Sequence, residues 1–285
     1  MRTTHSIAFK NTREDGFTLT ELLVVIVTVG ILCVLLLPAL AGTKPNSQAF
    51  QCLENLRQLT LGWQMYAQDN NGKLPPNGQQ STQCQTPTDP RYLPGGVYSQ
   101  WCPGVVSTVI DNINGEFIQA GLIYPYVNNT NLYRCPADLK TFARMGVNYP
   151  QVRSYAMNCC ISPLGPSVMW NNPSAVLIFY KDTDFTLPGP SMTFVLIDEN
   201  ENSINDTLFV CGPNDPYHWQ EAPATRHAGA GSISFADGHS EMKRWTDRYI
   251  LQLPTIFVPG VGHASDANSA DWAWLSQRTT VLLNQ

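Results

Sequence analysis

The sequence predicts an α+β protein in which a long N-terminal helix, first membrane-spanning and then amphipathic, packs on a mainly antiparallel β domain with an irregular insertion. Three patterns support this fold class: an uncharged apolar run from Leu22 to Leu40, helical spacing of apolar residues after it, and short apolar segments separated by turn residues in the C-terminal half. With 285 residues, 43% of them hydrophobic, the chain is long enough to bury a core of its own.

The composition and the motifs limit the classes of function. Only 14% of the residues are charged and the net charge is −5. Because binding to nucleic acid without sequence preference depends on clustered Lys and Arg, we expect no nucleic-acid partner. The sequence has no G-x-S-x-G, H-E-x-x-H or P-loop string. We therefore predict that the protein is not an enzyme.

The apolar run is long enough to cross a membrane. As a helix, Leu22–Leu40 reaches roughly 28 Å, close to the roughly 30 Å hydrocarbon core of a bilayer. Residues 1–16 carry more basic than acidic side chains, which favours their retention in the cytoplasm. The prediction is a single membrane pass with the C-terminal bulk of the chain facing outward. The run exceeds the apolar region of a secretory signal peptide, and an uncleaved signal anchor is the alternative.

Glu21 is an acid at the membrane end of this uncharged helix. A charged side chain costs about 2.5–3.5 kcal/mol at the bilayer centre and less near the interface. Two interpretations are open. The carboxylate can reach toward the headgroups at the helix N-terminus, where the helix dipole favours it. Alternatively, cleavage between Gly16 and Phe17 would create an α-amino group that can neutralise Glu21 of a neighbouring subunit.

The residues Gly16-Phe17-Thr18-Leu19-Thr20-Glu21-Leu22-Leu23-Val24-Val25 resemble the type IV prepilin signal that pilins and secretion pseudopilins share. The resemblance implies that a prepilin peptidase cuts after Gly16 and methylates the new N-terminus at Phe17. It also implies that Glu21 pairs with the amine of a neighbouring subunit during assembly.

The resemblance further implies a division of the chain into four parts. Residues 1–16 are the prepilin leader, 17–41 the transmembrane and assembly helix, 42–72 its amphipathic continuation, and 73–285 a periplasmic, β-rich globular domain.

The function that these patterns favour is that of a pseudopilin or pilin-like structural subunit in a type II secretion or type IV pilus-like filament. The implied partners are a prepilin peptidase, other pilin-like subunits, an assembly ATPase, a platform membrane protein and the inner membrane. Two other classes stay open. One is a membrane-tethered or filament-tip binding module that uses the insertion, and the other is a periplasmic hydrolase on a signal anchor.

Beyond the apolar run, Leu53, Leu56, Trp63 and Ala67 follow the 3-4 spacing of an amphipathic helix. Asp69-Asn70-Asn71-Gly72 then predicts a turn. This stretch resembles the C-L-x-N-L…Q-M-Y-A-x-D-N-N-G segment of a prepilin-like group common in planctomycetes and verrucomicrobia.

The globular part has few regular elements in its first portion. Residues 73–135 predict an irregular insertion with two short helices. Ala175–Tyr180 and Thr193–Ile197 predict buried strands, because they are short, branched and aromatic. Between Ser232 and Trp245, alternating apolar positions flank the turn pair Asp237-Gly238, which predicts a hairpin.

His227, Asp237 and Gly238 resemble the H-x9-D-G signature of the same prepilin-like group. A structural role is favoured, for example a hydrogen bond between His227 and Asp237. A cation site and a catalytic site are the alternatives. No cofactor is expected, apart from Ca²⁺, for which oxygen ligands would come from Asp198, Glu199, Asn205 and Asp206. No metal ligand can be assigned through the resemblance.

The eight cysteines contain no C-x-x-C pair and no zinc-finger spacing, which argues against a structural zinc site. Cys33 lies within the apolar run. If the domain lies in an oxidising compartment, we expect one to three disulfides among the other seven cysteines, and the sequence leaves their pairing open.

Overall fold

The computed structural model describes residues 18–78, 86–104, 113–164, 176–213, 218–252, 263–264 and 269–283, and for residues 33–46, 218 and 263–264 it describes the backbone alone. The chain divides into two compact units between Lys44 and Pro45. The leader, residues 1–16, and Phe17 lie outside the described residues.

The first element, α1, is a helix over Leu19–Asp69. Among the residues that the structure describes, no helix is both long enough and apolar enough to cross a membrane. Residues 33–40, the second half of the predicted span, lie outside the part of the chain whose side chains are described.

The C-terminal part of α1 is amphipathic, as the 3-4 spacing predicts. The buried face consists of Cys52, Leu56, Leu59, Trp63 and Ala67, which recur every three or four residues and therefore lie on one side of a helix. Leu53, which the sequence placed on this face, is only half-buried.

The helix ends at the predicted turn. Asn71 and Gly72 have positive φ values of 56° and 78°, and the amide of Gly72 donates to the carbonyl of Ala67 at 2.8 Å. Residues in this left-handed region satisfy the last carbonyls of a helix and stop it.

Nine strands and four further short helices follow among the described residues. The helices are α2 (Gly115–Gln119), α3 (Tyr124–Val127), α4 (Arg248–Leu251) and α5 (Ala270–Thr279). The strands are β1 (Thr141–Arg144), β2 (Val147–Pro150), β3 (Tyr155–Asn158), β4 (Phe194–Asp198), β5 (Leu208–Phe209), β6 (His218–Trp219), β7 (Ala230–Phe235), β8 (Ser240–Arg244) and β9 (His263–Ala264).

The central sheet has five strands in the order β5-β3-β4-β7-β8. All neighbours are antiparallel except β3 and β5, which are parallel. The described domain is therefore α+β with a mainly antiparallel sheet, as predicted. The strand at Thr193–Ile197 and the hairpin about Asp237-Gly238 are confirmed by β4 and by the β7–β8 pair.

Each face of this sheet covers a different part of the core. On one face, Tyr155 and Met157 of β3 join the buried residues of α1. On the other face, Ala156 of β3 and Ile233 of β7 belong to a second cluster. This second cluster also contains Trp219, Trp245, Trp272 and Leu275. Because strand residues alternate between faces, one short strand contributes to both clusters.

Hydrogen bonds fix the position of α1 along β7. The Thr60 hydroxyl donates to Ser234 Oγ at 2.7 Å, and the Gln64 amide donates to the carbonyl of Ala236 at 2.9 Å. Small serine side chains on this face of β7 let the helix approach the strand, and each bond restricts sliding of the helix along it.

The prediction of a strand at Ala175–Tyr180 is wrong, because its described residues, 176–180, form isolated bridges instead of a strand. Val176 bridges Leu282 and Phe179 bridges Ile161, each as an isolated pair. The run is apolar enough for a strand, but it meets two different segments within four residues and so forms no ladder with either.

The described part of the insertion contains the two expected short helices, α2 and α3. It also contributes Trp101, Ile118 and Tyr133 to the core. Residues 79–85 and 105–112 of the insertion lie outside the described residues.

The β1–β2 hairpin is exposed on both faces. Its turn places Met145 and Gly146 at φ values of 50° and 79°, which is typical of the two-residue type I′ turn. Met145 is 92% exposed and Tyr149 40% exposed.

Candidate functional site

The start of α1 is closed by a capping box. The Thr18 amide and hydroxyl donate to Glu21 Oε2 at 2.9 and 2.7 Å, and the Glu21 amide donates to Thr18 Oγ1 at 3.3 Å. Reciprocal bonds of this kind satisfy amides that a helix N-terminus leaves without partners. The sequence signal for this cap is the T-x-x-E string of Thr18 and Glu21, and the cap is an addition to the two roles predicted for Glu21.

The two ends of the H-x9-D-G string lie apart. His227 precedes β7, whereas Asp237 follows it. The six-residue strand β7 lies between them and extends roughly 17 Å, and each of the two side chains has its own partner. The predicted hydrogen bond between His227 and Asp237 is therefore absent.

At the far end of β7, Asp237 and Gly238 form the hairpin turn. Asp237 Oδ1 accepts from the His239 amide at 3.1 Å and lies 2.6 Å from His239 Nδ1. Gly238 has a φ of 95°, which L side chains rarely adopt, and a Cβ there would lie 3.3 Å from Gln64 Nε2. The D-G pair is thus needed for the turn and for its close approach to α1.

At the near end, His227 opens a second tight turn. Its amide donates to the carbonyl of Ala230 at 3.1 Å, and the central residues Ala228 and Gly229 have φ values of 55° and 81°. This geometry holds the imidazole against the sheet, where His227 Nε2 lies 3.3 Å from Cys135 Sγ.

His227 belongs to a buried group of four metal-type donors. Cys52, Cys135, Asp198 and His227 are all buried, and one donor atom from each lies within 4.8 Å of the others. Cys52 comes from α1, Asp198 ends β4 and His227 precedes β7. Spacing in the sequence argued against a zinc site, but the fold brings together donors that are far apart along the chain.

The sequence signal for this group is partial. Cys52 lies in the C-L-x-N-L string and His227 in the H-x9-D-G signature, but Cys135 and Asp198 lie in neither. No regular spacing along the chain therefore predicts that the four donors meet.

The electrostatics of this group are dominated by burial and by Arg226. Arg226 forms ion pairs with Asp198 Oδ1, with Glu201 at 3.0 Å and with Asp138 at 3.4 Å. Burial raises the pKa of Asp198 to about 6, although Arg226 acts in the opposite direction. Because the carboxylate is paired, it is held in one orientation.

The environment favours the neutral forms of Cys135 and His227. The hydrogen bond to Cys52 and burial raise the pKa of Cys135. Burial, followed by the nearby Arg226, lowers the pKa of His227. A neutral imidazole is the form that binds a metal.

Three of the oxygen donors considered for Ca²⁺ have partners within the protein. Asp198 faces Arg226 and Cys52, whereas Glu199 accepts from the Ser203 hydroxyl at 2.8 Å. The carboxylate of Asp206 caps the amide of Leu208. In the described part of the chain, the group of four metal-type donors contains Asp198 but neither Glu199 nor Asp206.

The remaining candidates have structural surroundings. The ring of Trp274 meets Trp245 edge to face at 6.3 Å and lies 4.0 Å from the Arg278 guanidinium, so it packs on the domain. The six described cysteines form no disulfide, contrary to the expectation of one to three. Cys84 and the side chain of Cys33 lie outside the described part.

The described residues define a class of fold: an α+β domain with a mainly antiparallel sheet, which follows the long helix α1 in the chain. In sequence, the chain is similar to three proteins named type II secretion system core protein G. It is 41% identical over 59 residues to that of Aeromonas hydrophila, covering 21% of this chain and 41% of the relative. It is 39% identical over 59 residues to that of Pectobacterium carotovorum subsp. carotovorum, covering 21% and 38%.

The third relative, from Dickeya chrysanthemi, is 33% identical over 95 residues, which cover 32% of this chain and 61% of the relative. The chain thus spans about two fifths to three fifths of the length of these relatives. No family model and no solved structure matches the chain. The similarities support a pseudopilin relationship, and the relatives are named as core proteins of a secretion system rather than as enzymes.

Proposed function

We propose that the protein is a pseudopilin or pilin-like structural subunit that a prepilin peptidase processes between Gly16 and Phe17. The observation that carries this proposal is the ten-residue string Gly16–Val25, which directly precedes and opens α1. The partial similarity to core protein G agrees with it. The processed chain carries an N-methylated amine at Phe17 and inserts in the inner membrane, with its C-terminal domain periplasmic or in a filament.

The capping box suggests how Glu21 serves assembly. In a single chain the carboxylate accepts from Thr18, which keeps it at the start of the helix and pointing along the first turn. Once the leader is removed, the amine of a neighbouring subunit can approach this carboxylate. A bond between the carboxylate and a charged amine is stronger than the bonds that the carboxylate accepts from the uncharged donors of Thr18, and it removes the cost of a bare carboxylate in the membrane.

Assembly requires proteins supplied by the cell. These are the peptidase, an assembly ATPase, a platform membrane protein and further pilin-like subunits. The alternative, a tip module that binds through its insertion, draws no support from the described part of the insertion, because Trp101, Ile118 and Tyr133 are built into the core.

The test is co-expression of the full chain with a prepilin peptidase, followed by intact mass and N-terminal sequencing. We expect the native chain to begin at N-methyl-Phe17 and Gly16→Ala to stay unprocessed. Glu21→Ala should be processed but should not enter filaments. Glu54→Ala is the matched control, since Glu54 is an acid on the same helix whose ion pair with Arg57 is solvent-exposed. A chain that starts at Met1 or after Ala41 would overturn the proposal.

A further inference from the structure

We propose that Cys52, Cys135, Asp198 and His227 bind one Zn²⁺ ion in a closed, tetrahedral site that joins α1 to the central sheet. This inference rests on the convergence of the four side chains and is independent of the role in a filament.

The separations between the donor atoms agree with a zinc tetrahedron. With Zn–S near 2.3 Å and Zn–N or Zn–O near 2.0–2.1 Å, a sulfur and a nitrogen or oxygen donor lie about 3.5 Å apart. Cys135 Sγ lies 3.3 Å from His227 Nε2, and Cys52 Sγ lies 3.7 Å from Asp198 Oδ2. The donors need to move by only a few tenths of an ångström along these two edges.

The donor types select the metal. Two thiolates with an imidazole and a carboxylate are characteristic of Zn²⁺, whereas Ca²⁺ and Mg²⁺ prefer oxygen donors alone. All four side chains are buried, so four protein ligands complete the coordination shell. A closed shell of this kind is typical of a structural zinc site, and no reaction is assigned to it.

The neighbouring arginine orients one ligand of the site. Arg226 holds Asp198 Oδ1 and donates to the carbonyl of Glu199 at 2.8 Å, which leaves Asp198 Oδ2 for the ion. Zn²⁺ with two thiolates, one carboxylate and a neutral imidazole carries a net charge of −1, which the guanidinium of Arg226 offsets only in part, because it also pairs with Asp138 and Glu201. Outer partners that orient a ligand in this way are common in zinc sites.

Binding would release the thiol protons of Cys52 and Cys135 to solvent, since thiolates are the ligands. In the metal-free state, Cys52 Sγ lies 2.9 Å from Ser232 Oγ and 3.2 Å from the Tyr155 hydroxyl. Those two hydroxyls can donate to the bound thiolate and reduce the cost of its buried charge. Cys135 also lines a cavity of about 280 Å³ beside the site, which offers the ion a route.

Two other states of the same residues are conceivable. The cluster can remain a network of neutral thiols, or Cys52 and Cys135 can form a disulfide, which would remove both sulfur donors. The test therefore has to measure metal and thiol content together.

The full chain is purified in detergent under reducing, oxygen-free conditions without added metal, and its zinc content is measured by mass spectrometry. We expect about one Zn²⁺ per chain. X-ray absorption at the zinc edge should show two sulfur ligands near 2.3 Å and two nitrogen or oxygen ligands near 2.0–2.1 Å. Co²⁺ exchanged into the site should give thiolate charge-transfer bands. These measurements use the unchanged chain and do not depend on the folding of a variant.

Cys52→Ser and His227→Ala identify the ligands. Because loss of an outer-shell partner already weakens metal binding by about 10–100-fold, loss of a ligand should reduce affinity at least as much. Cys102→Ser is the matched control, since Cys102 is also buried but lies outside the cluster. Its zinc content should equal that of the unchanged chain.

Three results would overturn the proposal. The first is a reduced, folded chain without zinc after exposure to micromolar Zn²⁺. The second is equal zinc content in Cys52→Ser and the unchanged chain, which would place the metal elsewhere. The third is a peptide containing a Cys52–Cys135 disulfide in protein isolated from the cell, with no zinc bound.

Discussion

The packing of α1 on the sheet can be tested with two leucines of the same helix. Leu56 is fully buried, whereas Leu61 is 52% exposed. We expect Leu56→Ala to lower the free energy of unfolding by about 3–4 kcal/mol and Leu61→Ala by no more than about 0.5 kcal/mol. Both substitutions change helix propensity by the same small amount, so the difference between them reports burial alone.

The magnitude follows from the atoms that are lost. Leu→Ala removes three carbons, and at about 0.8 kcal/mol for each buried carbon the lost transfer free energy is about 2.4 kcal/mol. The cavity that remains adds to this, because the surrounding side chains relax only in part. Leu56 belongs to a cluster with Tyr155, Met157 and Leu196 of the sheet, whose backbone is fixed by ladder hydrogen bonds and cannot collapse freely.

The assay is urea unfolding of the full chain in mild detergent, followed by tryptophan fluorescence. Trp63, Trp101, Trp219 and Trp245 are buried, so their emission shifts on unfolding. A cost below about 1 kcal/mol for Leu56→Ala, or an equal cost for Leu61→Ala, would refute the packing of this helix face on the sheet.

Three further predictions concern buried groups on the other side of the sheet. Burial raises the pKa of Glu221 well above its usual range, so the folded state keeps a proton that the unfolded chain releases. The free energy of unfolding should then fall as the pH rises from about 4.5 toward this raised pKa. In urea unfolding between pH 5 and 9, Glu221→Gln should make the free energy of unfolding depend less steeply on pH. An unchanged dependence on pH would contradict the prediction. For Asp271, burial acts to raise the pKa, but hydrogen bonds from Thr246 and Lys243 outweigh it and lower the pKa. The stability that the ionised Asp271 contributes is present above its ordinary pKa and is lost as the pH falls. Asp271→Asn should therefore reduce Tm at pH 7 and reduce it much less at pH 3. Equal losses of Tm at the two pH values would speak against the pairing. Finally, a Cβ at Gly231 would lie 2.5 Å from the carbonyl oxygen of Ala224, so Gly231→Ala should cost about 1–3 kcal/mol in the same assay, and a neutral effect would show that the strand can shift.

Local patterns sufficed for several elements, because each depends on residues close together in the chain. The 3-4 spacing of Leu56, Trp63 and Ala67 placed the buried face of α1, although Leu53 proved half-buried. Asp237-Gly238 placed the β7–β8 hairpin, since a two-residue turn needs a residue that accepts positive φ. The T-x-x-E string would equally have predicted the cap formed by Thr18 and Glu21.

The failures occurred where the outcome depends on distant partners. Ala175–Tyr180 has the composition of a strand, but a strand needs a continuous neighbour, and this run meets two different segments. The interpretation of His227 and Asp237 as a bonded pair failed for a similar reason. Their spacing matches the length of β7 and its turns, which separates the two side chains rather than joining them.

The sequence by itself determined the amphipathic helix and the hairpin turn, because each is encoded in a few neighbouring residues. The proposed assembly signal at Gly16, Phe17 and Glu21 likewise rests on the sequence alone. Only the tertiary structure brings the donor atoms of four buried residues together: Cys52, Cys135, Asp198 and His227. Their separation along the chain carries no periodicity, and only the packing of α1 on the edge where β4 ends and β7 begins brings their donor atoms within 4.8 Å.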